Sequence, residues 1–508
     1  MNYRGVARNR RAVRDGRSNI RPTYVYARQR AYIHKLSHKA AALAAGQLRH
    51  TDPLASAALG ISQRQRRAGY AITLMIAGLT MIAPRGTALT LHHSLWVFFA
   101  CAIAFRVLLL VLSFKNPPGQ ARLSDDEDLP VYTLLIPLYR EANVLPGLCA
   151  AIGALNYPKD RLDIKLLLEA EDATTIQAVM AYPLGPHWEV IITPNIGPQT
   201  KPKALNAGLE RARGTLVSIY DAEDHPHPDQ LRHAVAAFAN DKKGNLGCVQ
   251  APLGYYNADQ NWLTKQFALE YAAQFQVLVP AMARLGLPFP LGGTSNHFRA
   301  EALHNVGAWD PYNVTEDADL SYRLHAKGWR LGTITPPTLE EATSHIGAWQ
   351  RQRSRWLKGY VQTIGVHMRR PAPHRALAGA VSMIMTLGIA VLSAFGHASF
   401  TILMALALGL SPWLSFGLHG ADYALALAGL LVGMGMLGRG AKRAGLSHSW
   451  WDIISAILYW PLQSWAMAKA VVDLIKRPFH WEKTTHGLCA PPVQVHKIED
   501  QTHLDKSA

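Results

Sequence analysis

The stretch Gly214-Thr-Leu-Val-Ser-Ile-Tyr-Asp-Ala-Glu-Asp224 decides the fold of this chain. Its apolar, β-branched half follows a glycine and predicts a buried strand, and its acidic half comes directly after that strand. In an open α/β sheet, ligands bind outside the carboxyl ends of the strands. Asp221 and Glu223 are separated by one residue, so we expect their carboxylates to face one space and hold a hard cation, Mg²⁺ or Mn²⁺. Taken alone, such an acidic turn is more often an ordinary solvated loop.

Strand and helix patterns alternate on both sides of this stretch. They predict strands at 132–137, 164–168, 189–193, 215–220 and 246–251, and helices at 141–155, 203–213 and 228–239. Alternation with short connections predicts a mostly parallel sheet with helices on both faces. A second acidic group, Glu169-Ala-Glu-Asp172, follows the strand at 164–168. The sequence therefore indicates a nucleotide-binding α/β domain with acids at its strand ends.

The apolar residues are concentrated outside this domain. Of the 508 residues 49% are apolar and 17% charged, but the long apolar runs lie near 70–113 and 376–474. A helix that crosses a bilayer needs about 20 mostly apolar residues. We therefore expect a transmembrane hairpin near the N-terminus, whose first run, 70–83, is short and spans only if it extends past Pro84 toward Leu91. We also expect four crossings at the ranges 377–395, 397–416, 421–438 and 450–473.

The charges near the C-terminal spans leave their number open. Four crossings put Lys476 and Arg477 on the cytoplasmic side but Arg439 and its basic neighbours on the outer side, against the positive-inside rule. Three crossings reverse the conflict. A single long helix over 378–408, or an interfacial segment around 450–461, would reconcile both groups.

The net charge of +17 comes largely from the first seventy residues, where a helix is predicted from Val25 to Leu48. A basic region before an apolar span fits a cytoplasmic N-terminus near anionic lipid better than nucleic-acid binding. No nucleic-acid-binding module and no signal peptide is recognisable. The four cysteines, Cys101, Cys149, Cys248 and Cys489, are scattered, so we expect neither a disulfide framework nor a zinc site.

Four further clusters follow the strands. They are the small-residue loop Leu291-Gly-Gly-Thr-Ser-Asn296, the helix start Thr315-Glu-Asp317, the basic aromatic group Gln352-Arg-Ser-Arg-Trp356, and His480-Trp-Glu-Lys-Thr-Thr-His-Gly487. Thr315 suits a helix N-cap, and Thr-Glu-Asp is also what an ordinary helix start looks like. The order of the clusters is more specific than any one of them.

In this order the clusters resemble the membrane-integrated family 2 glycosyltransferases, which are related to bacterial cellulose synthase and similar processive polysaccharide synthases. The resemblance covers roughly 70–490. It implies an α/β GT-A domain inserted between α-helical transmembrane segments. The expected regions are a basic cytoplasmic N-terminal region at 1–69, a transmembrane hairpin at 70–114, the cytoplasmic GT-A domain at 120–370, transmembrane helices at 376–475 and a cytoplasmic tail at 476–508.

The resemblance also assigns roles to individual positions. It implies a nucleotide-sugar site of Pro137, Tyr139, Glu141, Glu171, Asp172, Lys203, Asp221 and Arg355, a metal pair of Asp221 and Glu223, a general base at Asp317, and an acceptor side of Gly293, Thr294, Ser295, Glu316, Gln352 and Trp356. The family has Asp-Asp where this chain has Glu171 and Asp172, so which acid contacts the base stays open, Glu169 included.

Ordinary chemistry supports several of these roles. The positive end of a helix favours an ionised Asp317, which a general base requires. Trp356 offers a flat face for a sugar ring and Arg355 a forked phosphate donor, although both also suit an anchor at the membrane surface. Lys203 is either the lysine that faces the diphosphate or a solvated lysine at a helix start.

The expected function is an inverting, Mg²⁺- or Mn²⁺-dependent transferase in the bacterial inner membrane, multi-pass, with its catalytic domain in the cytoplasm. It would extend a β-linked polysaccharide from a UDP-sugar and export it, in contact with a glycan acceptor, membrane lipids and polysaccharide-export partners. The alternatives are transfer of one sugar to a lipid carrier, or a catalytically idle surface-assembly protein. A transporter is disfavoured because charged residues at convincing intramembrane positions are lacking.

Overall fold

The computed structural model describes residues 32–115, 126–370, 376–410 and 419–480. Within these ranges the strands form an eight-stranded sheet of order β1-β4-β3-β2-β5-β9-β7-β10 and a three-stranded sheet of order β6-β11-β8. The strands are β1 Tyr32–Lys35, β2 Tyr132–Leu138, β3 Leu162–Glu169, β4 Trp188–Thr193, β5 Leu216–Ile219, β6 His225–Pro226, β7 Leu246–Gln250, β8 Leu253–Tyr255, β9 Asn296–Arg299, β10 Arg330–Thr333 and β11 Thr338–Glu340.

The helices of the N-terminal part and of the α/β domain are α1 His38–Thr51, α2 Gln63–Ile82, α3 Pro84–Leu112, α4 Leu145–Gly153, α5 Ala173–Ala181, α6 Lys201–Leu209, α7 Gln230–Ala239, α8 Trp262–Ala273, α9 Val279–Arg284, α10 Ala300–Asn305, α11 Glu316–Ala326 and α12 Ile346–His367. Those that follow are α13 Ala376–Met383, α14 Ile389–Leu410, α15 Gly420–Ala444, α16 Trp450–Ile454, α17 Ala456–Tyr459 and α18 Leu462–Lys476. A π-helical turn joins α8 to α9, and another joins α13 to α14.

The large sheet is parallel except for β9, which runs antiparallel between β5 and β7. Its central strands are buried on both faces, and every residue of β3 is buried. Such strands are continuous apolar runs because helices cover both sides. The sheet therefore places the carboxyl ends of β2 and β5 side by side, and the acidic turn follows β5 at this edge.

The predicted strands 132–137, 164–168, 189–193 and 246–251 and the helix at 228–239 agree with the structure to within a few residues. The helix predicted from Val25 to Leu48 is confirmed from His38 onward and is wrong at Tyr32–Lys35, which is an edge strand paired with β4. The side-chain oxygen of Ser37 accepts from the Ala40 N–H, which starts α1 there.

The N-terminal residues 32–59 dock on the α/β domain rather than forming a separate tail. Asn206 Nδ2 donates to the Ala44 carbonyl at 2.9 Å, and Ser56 Oγ donates to Asp310 Oδ1 at 3.0 Å. Beside α1, the φ of Gly197 is +72°, and an added Cβ would lie 2.6 Å from the Ala45 side chain. Glycine is therefore needed there both for its backbone conformation and for close packing.

Three helices of the described ranges are long and apolar enough to cross a membrane: Pro84–Leu112, Leu377–Leu406 and Gly420–Ala444. The four C-terminal crossings are therefore wrong. The predicted spans 377–395 and 397–416 are one continuous helix as far as residue 410, and 450–473 is divided into three short helices around Ser455 and Pro461. A proline has no N–H to donate and favours such a break.

The apolar helices pack directly on the α/β domain. A Cβ atom on Gly440 of α15 would lie 2.5 Å from the backbone of Ala272 in α8, so the two helices touch backbone to backbone. Leu269 and Met436 are buried in the same contact. An α/β domain inserted between apolar helices is thus confirmed.

Candidate active site

A cleft of about 750 Å³ opens at the carboxyl ends of β2 and β5. Its walls are the end of β2, the starts of α6 and α11, the loop before β9 and one face of α12. Twelve residues predicted for the site line it: Pro137, Tyr139, Glu141, Asp221, Glu223, Gly293, Thr294, Glu316, Asp317, Gln352, Arg355 and Trp356. The structure therefore brings the acidic turn, the helix start and the basic aromatic group into one space.

Asp224, the last residue of the acidic turn after β5, stabilises that turn by hydrogen bonds. Asp224 accepts from the Asp221 N–H at 2.7 Å and from the hydroxyl of Thr294. Burial, with the nearby charges of Asp221 and Glu223, raises the pKa of Asp224 well above its usual range. Asp224 thus has a buried, structural role, whereas Asp221 and Glu223 line the cleft.

Asp317 lies in the first turn of α11, and its Oδ1 accepts from the Ala318 N–H at 2.7 Å. A Cβ atom on Gly293 would lie 3.5 Å from Asp317 Oδ2 and 3.7 Å from Lys201 Nζ, so the base candidate lies beside the glycine loop. Burial raises the pKa of Asp317, whereas the Ala318 N–H, Lys201 and Arg355 act to lower it. Burial and the charge of Asp317 raise the pKa of Glu316 to about 8.

Thr315 occupies the N-cap position of α11, but its side chain makes no capping bond. Its hydroxyl instead contacts Asn313 Oδ1 at 3.4 Å. The predicted position of the helix start is correct, and the capping bond that Thr315 suggested is absent.

Lys203 does not line the cleft. It is fully buried, and its Nζ donates to Glu169 Oε2 at 2.8 Å. The lysine in the cleft is Lys201, which pairs with Asp221 and donates to the Gly293 carbonyl at 2.7 Å. Two residues along a helix turn the side chain by about 200°, so Lys201 and Lys203 point to opposite sides of α6.

Of the three acids Glu169, Glu171 and Asp172, only Glu169 lines the cleft. Asp172 is buried at the N-cap of α5 and accepts from the N–H groups of Thr175 and Arg140. Glu171 accepts from the Tyr139 hydroxyl at 2.9 Å and from Gln199 Nε2 at 2.7 Å. Asp172 thus fixes the backbone of the β2 loop, and Glu171 holds Tyr139, which does line the cleft.

The basic aromatic group lies on α12. Trp356 stacks on Tyr271 with ring centroids 6.1 Å apart. Arg355 lines the cleft, while burial lowers its pKa and the charges of Glu316 and Asp317 act to raise it. Gln352 Oε1 is buried, and the described residues offer it no hydrogen-bond partner.

Arg353, inside the same group, has a different position from Arg355. Its guanidinium lies 4.6 Å from the Trp356 ring centroid and forms a double hydrogen bond with Glu270 of α8. The Tyr459 hydroxyl donates to Glu270 Oε2 at 2.8 Å, which links α17 to the same ion pair. Sequence reasoning missed this buried link between α12 and α8.

Ser295 is another predicted residue outside the cleft. It is buried, and its hydroxyl shares a hydrogen bond of 2.6 Å with Thr338 Oγ1. Its φ of +53° turns the chain from the glycine loop into β9. Gly293 and Thr294 reach the cleft because of this turn, whereas Ser295 supports it from behind.

Glu340 and Glu341, at the end of β11, also line the cleft and were not predicted. Burial, followed by the charges of Asp224, Glu223 and Asp221, raises the pKa of Glu340 well above its usual range. Glu340 Oε1 is buried without a partner in the described structure. The double glutamate that follows Pro336-Pro337 was the only signal in the sequence.

These carboxylates are the donor chemistry that a hard divalent cation needs. No group of three or more His, Cys, Asp or Glu side chains in the described ranges is arranged to hold a metal by itself. The site therefore fits a cation that takes one or two carboxylates, from Asp221 and Glu223, and the rest of its shell from phosphates and water.

Phe479 and His480 line the cleft at its far end. Lys358 Nζ donates to the His480 carbonyl at 2.8 Å, and Phe479 packs edge-on against Tyr312. The rest of the His480–Gly487 cluster, and Cys489, lie outside the described residues.

Two family models match the chain. "Glycosyl transferase family 2" matches residues 133–295, and "Glycosyl transferase family group 2" matches residues 216–436. These ranges contain the acidic turn, Asp317 and the α12 group, all of which line the one cleft.

The chain is also similar to individual proteins of known name or structure. A β-monoglucosyldiacylglycerol synthase of Synechocystis is 26% identical over 56% of this chain and 61% of its own length. A glucomannan 4-β-mannosyltransferase of Arabidopsis thaliana is 29% identical over 50% of each chain. A solved mannosyltransferase of Pyrobaculum calidifontis, in complex with GDP-Man and Mn²⁺, has a TM-score of 0.49 at 18% identity, over 75% of this chain and 99% of its own.

The chain thus spans about half to 61% of the length of these curated relatives. Both family models nevertheless include the acidic turn after β5 and the glycine loop, which line the cleft at the edge of the sheet. Together the two models cover residues 133–436, so the chain carries a family 2 glycosyltransferase domain.

Proposed function

We propose that the chain transfers a sugar from a nucleotide diphosphate, with UDP-sugars the first donors to test, to a hydroxyl of a growing β-linked glycan, with inversion at the transferred carbon. The observation that supports this is one cleft lined by Asp221, Glu223, Lys201 and Asp317 together. The reaction needs opposite charges at two points of that cleft. Cations must stabilise the leaving diphosphate, and a carboxylate must accept the proton of the acceptor hydroxyl.

The donor half of the cleft would lie around the acidic turn. Lys201 and Arg355 supply positive charge beside Asp221, which suits a diphosphate whose negative charge grows as the sugar leaves. A divalent ion held by Asp221 and Glu223 would add Lewis-acid stabilisation of the same oxygens. Tyr139, held by Glu171, stands at the end of β2 as a wall for the nucleoside.

The acceptor half would lie between α11 and α12. Asp317 accepts the proton of the attacking hydroxyl, and Trp356 offers its face to the acceptor sugar. The unpartnered Gln352 Oε1 is an acceptor for one of the sugar hydroxyls. Glu316, whose pKa is about 8, retains a proton at neutral pH and leaves the negative charge of the pair to Asp317.

We also propose that four helices cross the membrane, with the α/β domain on the cytoplasmic side. The Ser113 carbonyl at the end of α3 accepts from Arg439 and Arg443 at the end of α15, so both helices end on the side of the domain. Since residues 32–59 dock on the same domain, α2 has to cross before α3 returns. α2 is less apolar than the three helices named above, because three arginines lie in its first turns. Its 20 residues reach about 30 Å, and the long side chains of these arginines can extend to the headgroups while residues 68–82 lie in the lipid.

This topology agrees with the positive-inside rule. Arg64, Arg66 and Arg67 begin α2, and Arg439 and Arg443 end α15, all on the cytoplasmic side. The conflict that four C-terminal crossings created disappears, because α13 and α14 cross once and α16 to α18 stay at the surface. Placement in a bacterial inner membrane and export of the glycan between these helices complete the proposal.

The test is the purified full-length chain with a panel of UDP- and GDP-sugars, scored for release of nucleoside diphosphate with Mg²⁺, Mn²⁺ or EDTA. We expect release from one UDP-sugar, dependence on the metal, and a loss of at least about 1000-fold in Asp317→Asn. Equal release by wild type and Asp317→Asn would overturn the proposal and favour an idle protein.

A second acceptor class is supported by the relatives. One of them is named a β-monoglucosyldiacylglycerol synthase, so transfer of a single sugar to a lipid is the alternative. The same assay separates the two with a labelled donor. An insoluble or high-mass product supports the glycan, and a solvent-extractable product that carries one sugar supports the lipid.

A further inference from the structure

Resting on the membrane placement proposed above, we infer that a basic cluster beside the end of α3 binds the phosphate headgroup of an anionic phospholipid. The basic cluster consists of Lys115, Arg284, Arg439, Lys442 and Arg443. It lies outside the catalytic cleft, whose lining contains none of these residues. It lies where three elements come together: the end of α3, the end of α9 in the α/β domain and the last turns of α15.

Hydrogen bonds hold the arginines at fixed positions. Arg439 Nη2 and Arg443 Nη1 both donate to the Ser113 carbonyl, at 2.9 and 2.8 Å. Arg284 Nη2 donates to the Lys115 carbonyl at 3.4 Å. Guanidinium groups from two separate elements are thus gathered around one helix end, with little freedom to move apart.

These bonds use only a small part of the available donors. A guanidinium has five N–H groups, and Arg439 and Arg443 each direct one of them to Ser113. Arg439 Nε is buried and has no hydrogen-bond partner in the described structure. A cap on the last carbonyls of α3 therefore explains part of the arrangement, and further acceptors are needed for the rest.

Three members of the cluster, Arg439, Lys442 and Arg443, take part in none of the ion pairs of the described part of the chain. Positive groups that repel one another and are fixed in place form a site for an anion with several oxygens, which phosphate supplies in the forked geometry that arginine prefers.

The position of the cluster selects a lipid as the source of that phosphate. Phe114 is 64% exposed, and its ring lies 4.3 Å from the Arg439 guanidinium, so an apolar surface and the charges stand side by side. Leu285, next to Arg284, is 42% exposed. The C-terminal ends of α3 and α15 lie beside this cluster. A headgroup can reach the arginines while its acyl chains lie along the helices.

The test is native mass spectrometry of the purified full-length chain titrated with phosphatidylglycerol or phosphatidylcholine that carry the same acyl chains. We expect wild type to prefer phosphatidylglycerol. Because each basic residue near a membrane surface contributes about fivefold, Arg439→Gln/Arg443→Gln should weaken that binding about 30-fold. Inorganic phosphate at millimolar concentration should not displace the lipid.

The matched control is Lys242→Gln/Lys243→Gln, which removes two exposed charges from the turn before β7 and should leave lipid binding unchanged. If the arginine variant does not fold, Arg284→Gln, at an exposed position, tests the same site with an expected loss of about fivefold. Equal binding of both lipids by wild type, or equal phosphatidylglycerol binding by wild type and Arg439→Gln/Arg443→Gln, overturns the inference. Release of nucleoside diphosphate is measured separately, so failure of the lipid site and failure of the proposed transferase are distinguishable.

Discussion

Gly359 of α12 lies directly against Thr315, the residue before the Glu316-Asp317 pair. A Cβ atom on Gly359 would lie 2.3 Å from Thr315 Oγ1 and 2.4 Å from Thr315 Cγ2. No such contact fits without movement, because both residues are buried. The glycine contact therefore sets how closely the helix that presents Trp356 approaches the helix that presents Asp317.

Gly359→Ala should separate these helices and displace Asp317 from its place beside Gly293. We expect the turnover number to fall about 100-fold, because a shift of about 1 Å in a reacting group has that cost. Thr315→Ala removes two of the three clashing atoms, so the double variant should regain a large part of the loss. Steady-state kinetics of the purified variants measures both.

The control for this prediction lies on the same helix. A Cβ atom on Gly365 meets nothing within 4 Å, so Gly365→Ala should leave turnover near that of wild type. Wild-type turnover in Gly359→Ala, or no recovery in the double variant, would show that the contact does not position the base.

Lys201 and Lys203 should fail in different ways when each is replaced by methionine. Lys201→Met removes the cleft cation beside Asp221, so kcat/KM should fall about 100- to 1000-fold while the unfolding transition stays in place. Lys203→Met leaves Glu169 buried without its partner, which costs about 3–5 kcal/mol of stability. Thermal unfolding and donor titration separate the two effects.

The compensating variant keeps this prediction testable. Lys203→Met/Glu169→Gln removes both charges of the buried pair and should recover most of the lost stability. A Lys203→Met protein of normal stability with weakened donor binding would contradict the structure and return Lys203 to the diphosphate.

The strands and the shared cleft could be predicted because they rest on local patterns. The run that ends at Tyr220 is apolar and β-branched, and acids follow it. A continuous apolar run of this length is typical of a buried strand in a parallel sheet. The order of Asp221, Asp317 and Arg355 along the chain then indicated one site, and all three line the cleft.

The remaining errors have physical causes that a linear pattern does not contain. Lys201 and Lys203 are two residues apart on one helix, and only the packing of α6 shows which of them faces Asp221. Glu340 follows a strand of three residues whose partners are β6 and β8, so its approach to the acidic turn depends on long-range pairing. β1 is four residues long, and it is a strand because the edge of β4 is open to it.

The pH dependence of the reaction should report the environment of Asp317. Because burial raises the pKa of this carboxyl, the acid limb of kcat/KM should lie above the value of about 3.9 for an ordinary aspartate. The rate is lost as the pH falls through that pKa. Lys201 acts to lower the pKa, so Lys201→Met should move the limb to higher pH. Lys242→Met, at an exposed position, is the control, and identical limbs in wild type and Lys201→Met would refute the assignment.

Glu340→Gln should weaken the binding of a divalent ion in the cleft. Burial and the charges of Asp224, Glu223 and Asp221 raise the pKa of Glu340, and a cation that offsets those charges lets its carboxyl ionise and attract the ion, which glutamine cannot do. We expect the Mn²⁺ dissociation constant to rise about tenfold, as about 1.4 kcal/mol of lost attraction implies. Electron paramagnetic resonance of free Mn²⁺ measures this without any turnover. Glu301→Gln, an exposed position on α10, should bind like wild type, and the same constant for Glu340→Gln would exclude Glu340 from the ion's surroundings.

The proposed crossing of α2 rests on where the helix begins and on the apolar surface that it exposes. Gln65, in the first turn of α2, donates through Nε2 to the Gly365 carbonyl of α12 at 2.6 Å, so the helix begins at the α/β domain. Its apolar residues are exposed along the helix, with Met81 at 86% and Ile82 at 84%. We therefore expect lipid to cover this apolar surface, with the turn at Ala83 on the outer side of the membrane.

One introduced cysteine at a time tests this directly in a Cys101→Ser/Cys489→Ser background, in which the remaining Cys149 and Cys248 are buried. In intact cells, a membrane-impermeant maleimide should label Ala83→Cys, at the turn between α2 and α3. Leu59→Cys, at the docked N-terminal segment, and Lys242→Cys, in the α/β domain, should react only after permeabilisation. Because Leu59 and Lys242 share one side in every arrangement that keeps residues 32–59 on the domain, they serve as each other's control. If Ala83→Cys reacts only together with Lys242→Cys, the turn at Ala83 is on the cytoplasmic side and the proposed crossing of α2 is refuted.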